Sequence, residues 1–527
     1  MDNPFVAQAA LALLADNPRD ALRIARMGLS LCNDEPALLE IAADSASQLD
    51  QDTDAARYWQ RLGELVPDHS QAWNGLGIAL QRLGAVDEAE AAWRRALALL
   101  PDDANLHTNL GLLLAERGAL AEAEQHQRRA VALAPDSAPI LTNLGDLLAH
   151  DSPEEALASY HTALVHDAGF ATAHCNLGVL LADQGQATAA EAAFRQALAL
   201  RPDFPQCRVN LAQLLLRQGR FDEGWALHES RLALAWRRGE VPAPHTTPPQ
   251  WQGESLRGRS IIVLPEQGYG DDIQFCRYVP WLKSLGAARV TLACRPGLTA
   301  LMHTLAGADQ VIDADEGQAQ LPQHDYWTVA LSLPLRAGTT WDSIPAPVPY
   351  LHPDPARQRR LQALLEADAP AGTLRVGLVW RGNPRHANDR ARSLPGLATL
   401  APLWAVPGVH FFSVQKPSPA SLAVAPPPGQ PLVDLAPQLG DFADTAALIA
   451  GLDLVISVDT AVAHLAGALG RRCWVLLPAR KADWRWPEGR TDSPWYPDLR
   501  LFRQTRHDDW SAVVASVAKA LEELRAK

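Results

Sequence analysis

Apolar and small residues recur along the first half of the chain with a period of 34 positions. The register Trp73-Leu76-Gly77-Leu80-Ala89-Trp93-Ala96-Pro101 returns as His107-Leu110-Gly111-Leu114-Ala123-Ala130-Pro135. It returns again as Leu141-Leu144-Gly145-Leu148-Ala156-Tyr160-Ala163 and as His174-Leu177-Gly178-Leu181-Ala190-Phe194-Ala197-Pro202. A weaker copy, Leu39-Ala55-Trp59-Pro67, precedes these, and a degenerate one, Leu211-Ala212-Leu215-Gly219-Gly224, closes the array. The three- and four-residue spacing within each copy predicts two amphipathic helices per unit. One such unit cannot bury its own apolar face, so stacked neighbours must supply the core of an α-solenoid. The glycines let paired helices approach, and Trp93, Tyr160 and Phe194 are expected to fill the gap against the next unit.

After Pro248-Pro249 the pattern changes. Ile261 to Leu264, Val290 to Ala293, Val311-Ile312, Leu374 to Trp380, His410 to Val414 and Leu454 to Val458 are short apolar runs that predict buried strands. Helical stretches lie between them, notably Ile273 to Ser284 and the segment from Ala461. This alternation predicts doubly wound parallel sheets. Residues 1–236 are expected to form the repeat domain, 237–257 a linker rich in proline and polar residues, and 258–352 and 369–505 two α/β lobes. The final stretch, 506–527, carries an amphipathic helix from Trp510 to Leu524.

Charge alters this picture in one respect. Of 60 acidic and 47 basic side chains, residues 1–236 hold 32 and 17, and every base there is arginine. The acidity of that half argues against nucleic acid as its partner and favours a partner of basic character, although a solvated face explains it as well. The six cysteines form no C-x-x-C pair, so no zinc or disulfide framework is expected. No apolar run reaches the roughly 18 residues of a membrane helix. The first residues show no basic stretch before an apolar one, so the expectation is a cytoplasmic protein.

The chemistry concentrates at two strand ends. After Leu264 comes Pro265-Glu266-Gln267-Gly268-Tyr269-Gly270-Asp271-Asp272. The third glycine of a dinucleotide loop is missing, but strand ends that meet helix starts remain ligand sites. Of the two acids, one can cap the helix and the other face the cleft as a general base. After Val458 comes Asp459-Thr460-Ala461-Val462-Ala463-His464. Asp459 or Thr460 caps a helix of small residues whose free N–H groups form an anion site, and His464 lies on the same face as Thr460. Between them, the loop Arg381 to Ser393 carries four arginines suited to clamp phosphate, or simply forms a solvated loop. Trp484, Trp486, Trp495 and Tyr496 either stack on a ligand or pin their segment. Asp313-Ala314-Asp315 is read as a pair of loop acids.

The 34-residue pattern resembles the tetratricopeptide repeat. Asn109, Asn143, Asn176 and Asn210 recur at one place in successive units. This row resembles the asparagine ladder of O-GlcNAc transferases, which implies that an acceptor protein is held by its backbone in the repeat groove. The bland alternative is that each asparagine bonds locally. Glu266-Gln267-Gly268-x-Gly270-Asp271 and Asp459-Thr460-x-x-x-His464-Leu465-Ala466 resemble the two signature segments of heptosyltransferase-like enzymes, with Ala461 where that family usually has glycine. Over 258–505 the resemblance implies a GT-B fold of two Rossmann-like lobes. It also implies an inverting reaction with no metal and a nucleotide-sugar donor. Asp271 is then the catalytic base rather than Asp272. The donor would be held by Gly268, Gly270, Arg381, Asn383, Arg385, Gln415, Lys416, Asp459, Thr460, Ala461 and His464. Repeats followed by such a domain resemble bacterial protein glycosyltransferases, some of which modify flagellin Ser or Thr hydroxyls. The alternatives are a peptide-binding scaffold with an inactive platform, or a transferase acting on a glycan.

Overall fold

A computed structural model describes residues 3–241, 248–317, 323–345, 347–386, 388–415 and 427–526. The chain forms two compact units. One comprises residues 1–181 with 195–202, and the other 182–194 with 203–527.

The first unit is a stack of helix pairs such as Ser70–Arg82 with Val86–Leu99 and Ala104–Glu116 with Leu120–Leu133. Gly84 and Gly118 end the first helix of their pairs with φ of 77° and 80°, the left-handed conformation that releases the chain into the turn. A Cβ on Gly77 would lie 2.6 Å from the Trp93 ring, and one on Gly145 2.6 Å from Tyr160. These large side chains therefore pack on the glycine of their own repeat, not only against the next unit as the sequence pattern suggests. Glycine spacing and ring volume complement each other within each helix pair. Arginines join successive units at the surface, as Arg94 does with Glu122 and Arg128 with Glu155, each at 2.8 Å. Such exposed pairs contribute about 0.2–1 kcal/mol apiece.

From residue 203 the second unit continues with three helices, Pro205–Arg217, Phe221–His228 and Arg231–Arg237. Phe221 and Trp225 enter one hydrophobic core with Ile261, Phe275 and Trp484, and Trp225 Nε1 donates to the Thr339 carbonyl at 2.8 Å. The helices that close the repeat pattern are thus built into the α/β part.

The first sheet contains β1 (Ser260–Leu264), β2 (Arg289–Cys294), β3 (Gln310–Asp313) and β4 (Tyr326–Val329), all parallel, in the order β3-β2-β1-β4. The second contains β5 (Leu374–Val379), β6 (Val409–Ser413), β7 (Val433–Asp434), β8 (Leu454–Val458), β9 (Cys473–Leu477), β10 (Asp492–Ser493) and β11 (Tyr496–Arg503). Their order is β10-β11-β9-β8-β5-β6-β7, and only β10 is antiparallel to its neighbour. The terminal helix Ser511–Arg525 places Val513 and Val517 in one hydrophobic core with Val376, Leu378 and Phe411 of this lobe. Both lobes reverse strand order beside their first strand, between β1 and β4 and between β5 and β8. Ligands bind at such points, beyond the carboxyl ends of the strands. No described helix is long and apolar enough to cross a membrane.

Candidate active site

The loop leaving β1 is tightly held. Gln267 has φ of 62°, a left-handed conformation that a residue with a side chain rarely adopts. Arg295 Nη2 donates to its carbonyl at 2.6 Å. Gly268 occupies the cap position of the helix Tyr269–Phe275, and its N–H donates to Asp271 Oδ2 at 2.8 Å. Asp271 Oδ1 accepts from Arg485 Nη2. Asp272 points elsewhere. It is 6% exposed and bonded to Arg295 Nη1 at 2.7 Å, and burial pushes its carboxyl up to about 7 against the pull of Arg295. The sequence pattern assigns capping to one acid and chemistry to the other. The structure puts the cap bond on Asp271 itself and buries Asp272.

The strand β8 runs directly into Asp459 and Thr460. Thr460 stands at the cap position of the helix Ala461–Ala468, but neither acid nor hydroxyl caps it as expected. The Thr460 hydroxyl bonds the Ser457 hydroxyl at 3.0 Å and makes no cap bond, because the strand end turns it back toward β8. The first-turn amides of Ala461 and Val462 therefore carry no side-chain cap, which suits an anion. Enclosure, reinforced by the Asp483 charge, pushes the Asp459 carboxyl up to about 6. His464 Nδ1 meets the Tyr496 hydroxyl at 3.1 Å, and its ring stacks on Trp486 with centroids 5.2 Å apart. Burial, with the nearby Arg485 charge, holds its imidazole down to about 3, so it is neutral at physiological pH.

The two helices that follow these strands touch. A Cβ on Gly270 would lie 2.9 Å from His464 Cδ2 and 3.6 Å from Ala461 Cα. The glycine is required there for close approach of the two helices, and it brings Gly268, Gly270, Asp271, Asp459, Thr460, Ala461 and His464 together.

The arginine loop behaves differently from its composition. Arg381 spends its guanidinium on the carbonyls of Leu394 and Pro395. Gln415 accepts from the Trp380 and Arg381 amides at 3.2 and 3.0 Å and donates to the Arg381 carbonyl at 3.0 Å. Asn383 Oδ1 accepts from the Arg385 amide at 3.0 Å, and Arg385 is exposed. These residues shape the loop. Lys416 lies outside the described residues. The cation that turns inward is Arg392, which sequence reasoning passed over among the four arginines. It lies 3.5 Å from Asp389, and its Nε is buried without a hydrogen-bond partner among the described residues. Its charge bears on both Asp459 and His464. Arg485 and Asp483 were missed too, hidden in a segment noticed for its tryptophans. Trp484, Trp486, Trp495 and Tyr496 are all buried, so they pin that segment.

In the repeats, Asn109 Nδ2 donates to Asn74 Oδ1 at 3.1 Å and Asn176 Nδ2 to Asp146 Oδ1 at 2.7 Å. Both bonds reach back to the preceding unit, leaving the two carbonyl oxygens without a partner among the described residues. Asn143 is half-buried. Asn210 lies in the second unit and accepts from Gln206 at 3.0 Å.

The depressed His464 imidazole has a measurable consequence. The unfolded chain binds a proton at His464 below about pH 6.5, whereas the folded chain does so only near 3. Its contribution to stability is complete above 6.5 and is lost as pH falls through that window, by a few kcal/mol at most. In urea unfolding, the stability gap between wild type and His464→Gln should therefore narrow from neutral pH to about pH 4. A gap independent of pH would contradict a buried neutral ring.

Comparison with known proteins agrees with this anatomy. Tetratricopeptide repeat models match residues 42–104, 78–138 and 181–226, and the model for glycosyltransferase family 9 (heptosyltransferase) matches 409–477. Protein FlbA of Caulobacter vibrioides is 29% identical over 386 residues, covering 68% of this chain and 62% of its own length. The chain thus spans less than two thirds of that relative. Among solved structures, the APC/C hetero-tetramer Cut9-Hcn1 gives a TM-score of 0.36 at 17% identity, covering 40% of this chain and 42% of its own. TTC0263, a thermophilic tetratricopeptide protein of Thermus thermophilus, gives 0.29 at 28% identity, covering 32% and 97%. The chain thus resembles tetratricopeptide repeat proteins over 42–138 and 181–226 and glycosyltransferase family 9 over 409–477.

Proposed function

We propose that the protein is a glycosyltransferase that moves a sugar from a nucleotide-sugar to a Ser or Thr hydroxyl of a protein, with inversion and without a metal. The observation that carries this reading is the contact of Gly270 with His464 and Ala461, which sets a carboxylate beside an uncapped helix start. Asp271 takes the proton of the acceptor hydroxyl as its oxygen attacks the anomeric carbon opposite the leaving group, a step worth about 10²–10⁴-fold. The departing nucleotide phosphate is received by the Ala461 and Val462 amides and by Arg392. Neutral His464 packs the floor of the site without adding charge.

The repeats support a protein acceptor, with the oxygens of Asn109 and Asn176 facing its backbone amides. Flagellin is the acceptor that the sequence resemblance suggests. The test is calorimetry and thermal shift against UDP-, GDP-, ADP- and CMP-sugars. At 100 times its dissociation constant a donor stabilises the fold by about 2.7 kcal/mol. One class of base should produce that shift, and Arg392→Gln should lose it. A folded protein indifferent to all four would overturn the reading.

A further inference from the structure

The candidate base and the group that aims it come from opposite lobes. Asp271 sits on the helix after β1, whereas Arg485 belongs to the segment between β9 and β10. Arg485 is buried and uses its whole fork. Nε donates to Gln274 Oε1 at 2.7 Å, Nη1 to Asp483 Oδ1 and Oδ2 at 2.9 and 3.0 Å, and Nη2 to Asp271 Oδ1. Its plane lies against the rings of Trp484 and Phe275, 4.4 and 5.3 Å from their centroids. The segment is itself fixed, since Arg217 Nη2 donates to the Ala482 carbonyl and Arg503 Nη2 to the Trp486 carbonyl, each at 3.0 Å.

A carboxylate has two oxygens with two acceptor sites each. Gly268 N–H takes one site on Oδ2, and Arg485 takes one on Oδ1. Two anchors define the carboxylate plane and leave one site on each oxygen for an acceptor hydroxyl. A guanidinium suits this task because its planar fork reaches three partners in fixed directions, which a lysine ammonium cannot match.

We propose that Arg485 is a positioning residue for Asp271, so that the base is correctly aimed only when the second lobe lies against the first. The proposal rests on Asp271 being the base. It assigns Arg485 no contact with the donor, which distinguishes it from Arg392.

The experiment measures transfer of labelled sugar from UDP-, GDP-, ADP- and CMP-sugars into acid-precipitable protein of a heat-treated cell extract. Wild type, Asp271→Asn, Arg485→Gln, Arg485→Lys and the double variant Asp271→Asn/Arg485→Gln are compared as full chains. Misaiming a catalytic group by about 1 Å lowers turnover by about 10²-fold. Arg485→Gln should lose that much kcat with unchanged donor KM, and Arg485→Lys should fall between it and wild type. The double variant should be no slower than Asp271→Asn, because the two act as a unit. A raised donor KM in Arg485→Gln, wild-type kcat in either Arg485 variant, or multiplicative losses in the double variant each overturn the proposal. If Arg485→Gln does not fold, Arg485→Lys, which keeps the buried charge, decides alone on its kcat. An active Asp271→Asn, or wild type inactive with all four donors, overturns the base reading and this proposal with it. A dead Asp271→Asn beside a fully active Arg485→Gln overturns this proposal only.

Discussion

Asp271→Asn should lower transfer by about 10²–10⁴-fold while leaving donor binding intact. The amide is nearly isosteric and can still accept from Gly268 N–H through its oxygen. What it loses is the capacity to take a proton from the acceptor hydroxyl. On the proposed reading Asp271 meets the acceptor, while the donor phosphate meets the uncapped start of the helix Ala461–Ala468 and Arg392, so donor binding should persist. Calorimetry with the donor found for wild type and the rate of sugar transfer are the two measurements. Loss of donor binding would make Asp271 a ligand rather than a base. Asp272→Asn provides the contrast. Asp272 is buried against Arg295, so its loss should act on stability and on the loop before it acts on the chemical step.

The largest effect on stability is expected at Arg231. Its guanidinium is 6% exposed and faces Glu266, 5% exposed, at 2.8 Å. The pair is bidentate, with Nη2 reaching Glu266 Oε2 at 3.0 Å. The same Nη2 donates to the Ser332 hydroxyl at 3.0 Å, and Nη1 donates to Glu229 at 2.8 Å and to the His228 carbonyl at 3.0 Å. Burial pushes the Glu266 carboxyl up, against the pull of Arg231. Removing the cation strands the buried Glu266 carboxylate, while Glu229 keeps the Ser332 hydroxyl and Arg336. Arg231→Met should therefore destabilise the second unit by about 3–5 kcal/mol in urea unfolding followed by tryptophan fluorescence. The double variant Arg231→Met/Glu266→Gln should recover part of that loss, since the two residues share one network. A loss below about 1 kcal/mol would mean the pair behaves as an exposed one. The consequence reaches the site, because Glu266 lies in the loop that leads into the helix carrying Gly270 and Asp271. A helix just past the repeats thus holds the loop of the candidate base.

The repeat array was readable because its information is short-ranged. Apolar spacing within a helix and glycine spacing between paired helices are relations over a few turns, copied from unit to unit. The strands at Ile261, Val290, Leu374 and Leu454 were equally plain, as unbroken apolar runs between helical patterns. Several other strands were not. In Tyr496–Arg503 apolar residues alternate irregularly with charged ones, and a proline stands second, so it read as loop. Cys473–Leu477 follows the candidate helix too closely to stand out, although it is buried along its whole length.

By itself, the sequence determined the solenoid, the doubly wound lobes and the two strand ends where chemistry gathers, because each is encoded by neighbours along the chain. Only the tertiary structure decided which acid takes the cap bond and which is buried, which of four arginines turns inward and why Gly270 must be glycine. Those choices are made by contacts between residues far apart in sequence. Arg485 and Asp271 are separated by 214 positions, and Trp225 and Thr339 by 114. A guanidinium or carboxylate has the same local sequence signal whether it faces solvent or a buried partner. Its surroundings, and therefore its role, exist only once the sheets have ordered and the loops have met.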